Sequence, residues 1–341
     1  MQPTDGMSSP PNPGIIFEML QAHQRTAALR AAVELDIFRA VGEGPGDAAS
    51  IAKKCSSSER GVRILCDFLT LSGILTKENG SYRHTPTSAL FLDPTSPVSL
   101  ASTTKFLGNP ALTEPFAHLA EIVRKGHTSL PGEGTVEPDN PVWVQFAESM
   151  AALAALSADG LAKAALEGTS GAVRVLDIAA GHGLFGIACA KQNPQAQVTA
   201  LDWPAVLAVA ERNAQKAGVA DRIHKLPGSA FEVEFGGPYD AALLTNFLHH
   251  FDQPTCIGLL KKIHAAMKPG GRVVTLEFVP NDDRVTPPMA AAFSMTMLAT
   301  TATGDAYTFN QLKQMYEAAG FKNVAAHPIP MSPQTVVAGS A

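Results

Sequence analysis

The second half of the chain alternates two hydrophobic periods, and that alternation limits its fold more than any other feature. Short apolar runs, V-R-V-L-D-I-A from Val173, Q-V-T-A-L-D from Gln197, D-A-A-L-L-T from Asp240 and R-V-V-T-L-E-F from Arg272, read as strands buried on both faces. Helical patterns separate them, running to Lys191, to Ala217 and over about 254–267. Strand and helix in turn imply βαβ units and a parallel sheet. A late helix, Phe309 to Ala319, and two alternating segments, N-V-A-A-H-P-I-P and Q-T-V-V-A-G, are expected to add edge strands.

The first third has a different texture. Ile16 to Val41 carries apolar residues at helical spacing, and a Gly/Pro break, G-E-G-P-G-D, ends it. Short helices are expected over Ala48–Lys54 and from about Glu59 to Ser72, the latter capped from Ser56-Ser57-Ser58. Asn79-Gly80 between strand-like flanks marks a tight hairpin. Three helices and a hairpin outline a winged helix. Residues 1–14, polar and rich in Pro and Ser, read as a disordered leader. The expected division is 1–14 leader, 15–100 winged-helix-like domain, 101–168 helical linker and substrate-lining region, and 169–341 α/β domain.

Composition removes several classes of function. A net charge of -5 argues against nucleic acid as the main partner. The helix E-R-G-V-R-I-L-C-D-F-L-T-L is mostly apolar and suits burial better than a phosphate backbone, although a ligand-sensing DNA-binding regulator stays open as an alternative. No apolar run approaches the length of a membrane span. Four scattered cysteines with no C-x-x-C spacing suit a reducing, cytoplasmic setting.

The segment V-L-D-I-A-A-G-H-G-L-F-G, residues 175–186, places a Gly-rich turn between a strand and a helix. That geometry brings backbone close to a ligand at a helix N-terminus. Gly181 and Gly183 remove side chains from the approach, whereas Gly186 falls on the helix and serves packing. The next strand ends in Asp202, placed to bond ribose hydroxyls. The competing structural reading has the glycines tighten a turn and Asp202 cap the helix after Trp203-Pro204. An NAD-dependent oxidoreductase is a further alternative, but no second phosphate-binding half follows: M-K-P-G-G-R-V-V leads straight into a strand.

The ordered motifs resemble the class I S-adenosylmethionine-dependent methyltransferases, and more narrowly the two-domain small-molecule O-methyltransferases. The resemblance covers nearly the whole chain and implies a Rossmann-like catalytic domain behind a mostly helical dimerisation domain, and hence a homodimer. The family's L-V-D-V-G-G-G-x-G is V-L-D-I-A-A-G-H-G here, so Ala179 and Ala180 replace glycines. Backbone contacts survive that exchange where φ is negative. L-D-W-P matches F-D-L-P, implying Asp202 as the ribose acid and Trp203 beside the adenine. Gly228-Ser229-Ala230-Phe231 matches the adenine motif G-D-M-F, with Ser229 in place of the acid. By the same resemblance Asn246 belongs to the S-adenosylmethionine site.

Methyl transfer from a sulfonium is an in-line displacement, chiefly a task of positioning. A phenolic acceptor of pKa near roughly 10 benefits from a base, and histidine suits that role. N-F-L-H-H-F-D, just past the strand D-A-A-L-L-T, resembles the family's L-H-D-W-S-D, which implies His249 as general base and puts His250 where the family has Asp or Asn. Glu277 matches one acidic partner of that base. The second partner's place, in T-G-D-A-Y-T, holds Ala306, with Asp305 and Tyr307 as neighbours that would have to substitute. Phe146, Met150, Met295 and Met297 match segments near the acceptor. A metal reading of His249, His250 and Asp252 lacks a completing ligand cluster. A small aromatic hydroxyl is the implied acceptor. A thiol, carboxylate or carbon acceptor is the alternative, because a more acidic group needs less help from a base.

Overall fold

A computed structural model describes residues 11–44, 46–329 and 332–341. The chain forms two compact units that meet at Gly108/Asn109. The expected leader lies largely outside the described residues, and its last four positions lead directly into the first helix.

In the first unit α1 (Gly14–Glu34) is followed by α2 (Ile37–Gly42), α3 (Ala48–Lys54) and α4 (Glu59–Leu71). The single helix expected over Ile16–Val41 is therefore two. Asp36 turns left-handed at φ 58°, which no α-helix passes through, and its carboxylate accepts from Arg39 Nε at 2.8 Å. Asp47 and Ser58 cap α3 and α4 by accepting from Ser50 N and Gly61 N. The hairpin of β1 (Leu75–Glu78) and β2 (Ser81–His84) turns at Asn79 and Gly80, both at positive φ as a type I′ turn requires. Ile37, Phe38, Ile51, Val62, Cys66, Leu69, Leu75 and Tyr82 form the core of this unit. Two short helices, α5 (Pro86–Phe91) and α6 (Thr103–Leu107), complete it. The start of α1 keeps Ile15, Ile16, Phe17, Met19 and Leu20 exposed.

The second unit opens with α7 (Pro110–Thr113), a 3₁₀ turn, α8 (Leu119–Lys125), α9 (Val142–Ser149) and α10 (Ala151–Ala165). The α/β part follows as β3 (Val173–Ile178), α11 (Leu184–Gln192), β4 (Ala196–Asp202), α12 (Pro204–Lys216), β5 (Ile223–Pro227), β6 (Tyr239–Thr245), α13 (Gln253–Ala265), β7 (Met267–Glu277), α14 (Pro288–Thr300), α15 (Phe309–Ala318), β8 (Lys322–Pro328) and β9 (Thr335–Ser340). The seven strands lie in the order β5-β4-β3-β6-β7-β9-β8. The first five are parallel and β9 runs antiparallel to β7. Of the two late strands only β8 lies at an edge, the opposite edge being β5. β9, expected at the edge, lies inside because it pairs on both sides.

Side chains of period two build a core on each face of this sheet. Val173, Val175, Ala241 and Leu243 pack with Leu161 of α10 and with Phe185 and Ile187 of α11. Leu176, Ile178, Ala242 and Leu244 pack with Leu259 and Leu260 of α13 and Met315 of α15. Strand order reverses between β3 and β6, and a ligand crevice in such a sheet opens beyond the carboxyl ends of the strands at that switch.

Candidate active site

The loop after β3 makes its turn with left-handed residues at Ala179 (φ 52°), Gly181 (φ 57°) and Gly183 (φ 74°). Gly183 N-caps α11, and a Cβ there would stand 2.9 Å from Ala210 Cβ of α12. Glycine at this position is set by both conformation and close approach. Ala179 does not meet the condition under which alanine replaces glycine freely: its φ is positive, so the methyl group sits where glycine is preferred, at a cost of about 1–2 kcal/mol. Ala180 stays outside the left-handed region and is buried.

Asp202 ties the loop to the end of β4. Its Oδ2 accepts from Gly181 N at 2.8 Å and its Oδ1 from Trp203 N at 2.7 Å. It therefore does not cap α12, whose N-cap is Trp203 without a side-chain bond. Desolvation raises the Asp202 carboxyl to about 6 against the pull of these two N–H groups. Asp177 is wholly buried behind the loop: Oδ2 accepts from Gly186 N at 3.1 Å and Oδ1 has no partner. Burial raises it to about 7, with the charge of Asp202 adding to the shift. A Cβ on Gly186 would come within 2.8 Å of both Asp177 Oδ2 and Val198 Cγ1, so this glycine serves packing.

His182, which the sequence reading passed over, caps α11 with its ring: Nδ1 accepts from Leu184 N at 3.2 Å. The ring stacks on Phe146 of α9 at 6.0 Å, and Phe146 also lies against Gly181. The signal was a hydrogen-bonding residue two places before a helix start, masked by the unusual choice of an imidazole as a capping group.

On the far side of β4, Gly228 (φ 133°) donates to Asp202 O at 3.0 Å. Ser229 Oγ accepts from Phe231 N at 3.2 Å, Ala230 is buried, and Phe231 is 40% exposed against the edge of Phe251. Asn246 follows β6 at φ 54°, donates to Leu276 O at 2.9 Å, and accepts at Oδ1 from Gln334 Nε2. Gln334 carries no local motif, and only the fold reveals it.

The loop after β6 holds both histidines in a 3₁₀ turn, Leu248–His250. His249, 5% exposed, bonds through Nδ1 to Glu277 Oε2 at 2.5 Å. The other oxygen of Glu277 accepts from Phe247 N at 3.1 Å and Leu248 N at 3.0 Å. A carboxylate can only accept, so Nδ1 carries a proton, and in the neutral ring Nε2 presents a lone pair. His250 is buried between His249 and Trp143, its Nδ1 without a partner, and desolvation holds its pKa well below the usual histidine value.

Neither neighbour of Ala306 reaches the His249 ring. Asp305 pairs with Arg284 and its backbone N–H donates to His249 O at 2.9 Å, while Tyr307 Oη donates to Phe251 O. Of the residues expected near the acceptor, Phe146 lies on the β3 loop, Met150 is half-buried, Met295 is 44% exposed and Met297 is buried at 4%. The residue of α14 that meets His249 is Phe293, edge-on at 4.8 Å, which the sequence did not single out from the apolar run around it.

Known proteins divide along the same line. An O-methyltransferase dimerisation domain matches residues 17–94 and an O-methyltransferase domain matches residues 116–322. The chain is 29% identical to 3-hydroxy-5-methyl-1-naphthoate 3-O-methyltransferase of Streptomyces sahachiroi, covering 89% of this chain and 90% of that one. A candidate O-methyltransferase of Nostoc punctiforme superposes with TM-score 0.94 at 47% identity, covering 97% of this chain and 100% of the other. Human N-acetylserotonin methyltransferase, solved with S-adenosylmethionine, shares the fold at TM-score 0.84 and 23% identity, over 98% of this chain and 99% of its own. Matches to both domains, over most of the length, set aside the oxidoreductase and DNA-binding alternatives: the chain belongs to the S-adenosylmethionine-dependent O-methyltransferases.

Proposed function

We propose that this enzyme methylates the hydroxyl of a small aromatic molecule with His249 as general base and Glu277 as the group that fixes its tautomer. The observation that carries this reading is the buried His249–Glu277 bond, with the second oxygen of Glu277 locked by two backbone N–H groups. Held in this way, Nε2 is free to take the acceptor's hydroxyl proton as the new C–O bond forms, and Glu277 offsets the positive charge the imidazole then carries. The edge of Phe293 excludes water from the ring and favours a flat apolar acceptor beside it. The relative that acts on a hydroxynaphthoate supports a fused aromatic acceptor. Phe146, Met150 and Met295 complete the proposed lining, and Met297 supports it from the core.

S-adenosylmethionine, the cofactor of this family, supplies an electrophilic methyl group on a sulfonium. The residues fit it. An acceptor oxygen of Asp177 is buried without a partner, and Asp202 has lone pairs beyond its two backbone bonds. Ala179, Gly181 and Gly183 themselves carry nothing larger than a methyl group. Asp202 would hold the ribose, Trp203 and Gly228–Phe231 the adenine, and Asn246 the remaining face. Ser229 Oγ accepts from Phe231 N and keeps a second lone pair and its O–H for the adenine.

The dimerisation-domain match and the exposed apolar start of α1 support a homodimer through the first unit. A monomer by light scattering at micromolar concentration would refute it. Among the described residues no helix is long and apolar enough to cross a membrane, and all four cysteines are free thiols, which supports a reducing cytoplasmic setting.

The test of the catalytic reading is His249→Ala, assayed with hydroxynaphthoates and hydroxyindoles. Turnover is expected to fall by roughly 10²–10⁴ while calorimetry shows unchanged affinity for S-adenosylhomocysteine. Undiminished turnover would leave positioning alone to account for the rate.

A further inference from the structure

We propose that Arg284 is a positioning residue for His249, acting through the main chain of residues 304–307. The proposal rests on the reading of His249 as the base. Among the described residues one carboxylate bonds to the His249 ring, which also packs against His250 and Phe293. Where Nε2 points depends further on the backbone that carries the ring, and that backbone is fastened from behind.

The fastening is a close main-chain contact. Asp305 N donates to His249 O at 2.9 Å, and Tyr307 Oη donates to Phe251 O. Gly304 lies so near that a Cβ there would stand 2.3 Å from His249 O and 3.0 Å from the His250 carbonyl carbon. The segment thus meets three consecutive residues of the base loop.

Arg284 holds the segment in place. Its Nη1 donates to Asp305 Oδ2 at 2.9 Å and to Ala306 O at 3.1 Å, and its Nη2 donates to Gln311 Oε1 at 2.7 Å at the start of α15. One planar fork therefore joins a side chain, a main-chain carbonyl and a helix. Arg284 itself sits at φ 58°, in a turn where Asp283 Oδ1 accepts from Val285 N and Thr286 N. Left-handed backbone at a non-glycine residue persists where its surroundings over-determine it, often at working sites. Ala306 is fully buried, so this chain has no room for a second carboxylate there and fixes the loop by its backbone instead.

Arg284 and Asp305 are both more than a third exposed, so an ordinary surface pair would contribute little to stability and nothing to catalysis. The clamp makes a different forecast. Proton NMR of the full chain with S-adenosylhomocysteine should show a downfield Nδ1–H resonance that His249→Ala removes. In Arg284→Met that proton should shift and exchange with water roughly tenfold faster or more, with Arg284→Lys between the two and thermal midpoints close to wild type. With a hydroxynaphthoate as probe, kcat should fall roughly 10- to 100-fold in Arg284→Met at unchanged KM for the cofactor, and not fall further when the change is made in His249→Ala. A resonance unaltered in shift and exchange in Arg284→Met would overturn the clamp, as would a kcat loss that adds fully to that of His249→Ala. A downfield proton that survives His249→Ala, or turnover that does, would instead remove the base reading on which the clamp rests.

Discussion

The loops after β3 and after β6 stand side by side at the switch point of one sheet, yet they are built by different means. The β3 loop, Ala179–Gly183, is a local object. Its shape comes from three left-handed residues in five, and its hydrogen bonds reach no farther than Asp202 and Asn213, whose Nδ2 donates to His182 O at 2.9 Å. The β6 loop, Asn246–Asp252, is assembled from a distance: Glu277, Arg284, Asp305, Tyr307 and Gln334 fix its side chains or its backbone. The difference matches the two tasks proposed for these loops. A cofactor common to a family can be held by main chain and a conserved geometry of turn, whereas a base must be aimed within a fraction of an ångström at an acceptor that differs between enzymes.

The substitutions that break this contrast can be ordered by size. His249→Ala should affect turnover by orders of magnitude without touching cofactor affinity; a matching loss of S-adenosylhomocysteine binding would show that the two loops are not separate devices. Gly183→Ala should do the reverse. Forced into φ 74° against Ala210, the new methyl group should lower stability by about 1–3 kcal/mol in denaturant titration and weaken cofactor binding. Equal stability would mean the loop relaxes freely.

The effect of pH sharpens the same contrast. The Asp202 carboxyl sits at about 6 in the free protein, above its ordinary value, so its contribution to stability is whole at low pH and is lost as pH rises through 6. Ribose hydroxyls donate to the ionised form, so cofactor affinity should move the other way. It should be flat above about pH 7 and fall about tenfold per unit below 6. Asp202→Asn should flatten that profile in calorimetry, and a profile unchanged by the substitution would assign the dependence to another group. The smallest effect belongs to Ala179→Gly. It relieves a left-handed alanine but frees the unfolded chain, for a net gain of at most about 1 kcal/mol. A loss of stability would mean that the Ala179 methyl group is packed usefully.

Much of the catalytic unit was legible because its signals are local. Strand runs, the Gly-rich turn and the acid after the next strand each lie within a few residues of what they specify, and in the first unit so do the cap Ser58 and the Asn79-Gly80 hairpin. His249 and Glu277 were legible from the family resemblance and from position: Glu277 ends β7 and His249 lies in the loop just past β6, where chain direction brings neighbouring strand ends together. The errors fell where a single dihedral decided the outcome. Asp36 breaks a pattern that reads as one helix, and Ala179 takes a φ that its side chain disfavours. Hydrophobic periodicity carries no information about either.

The sequence by itself determined the order of elements, the alternation that makes a doubly covered sheet, and the residue types at its strand ends, because these follow from periodicity and short-range turn chemistry. Only the tertiary structure decided that β9 lies inside the sheet, that Phe293 meets His249, and that Arg284 sits behind the loop after β6. Those outcomes depend on which surfaces pack together after the chain has folded back on itself. Contacts between residues tens of positions apart leave no periodic trace in either segment.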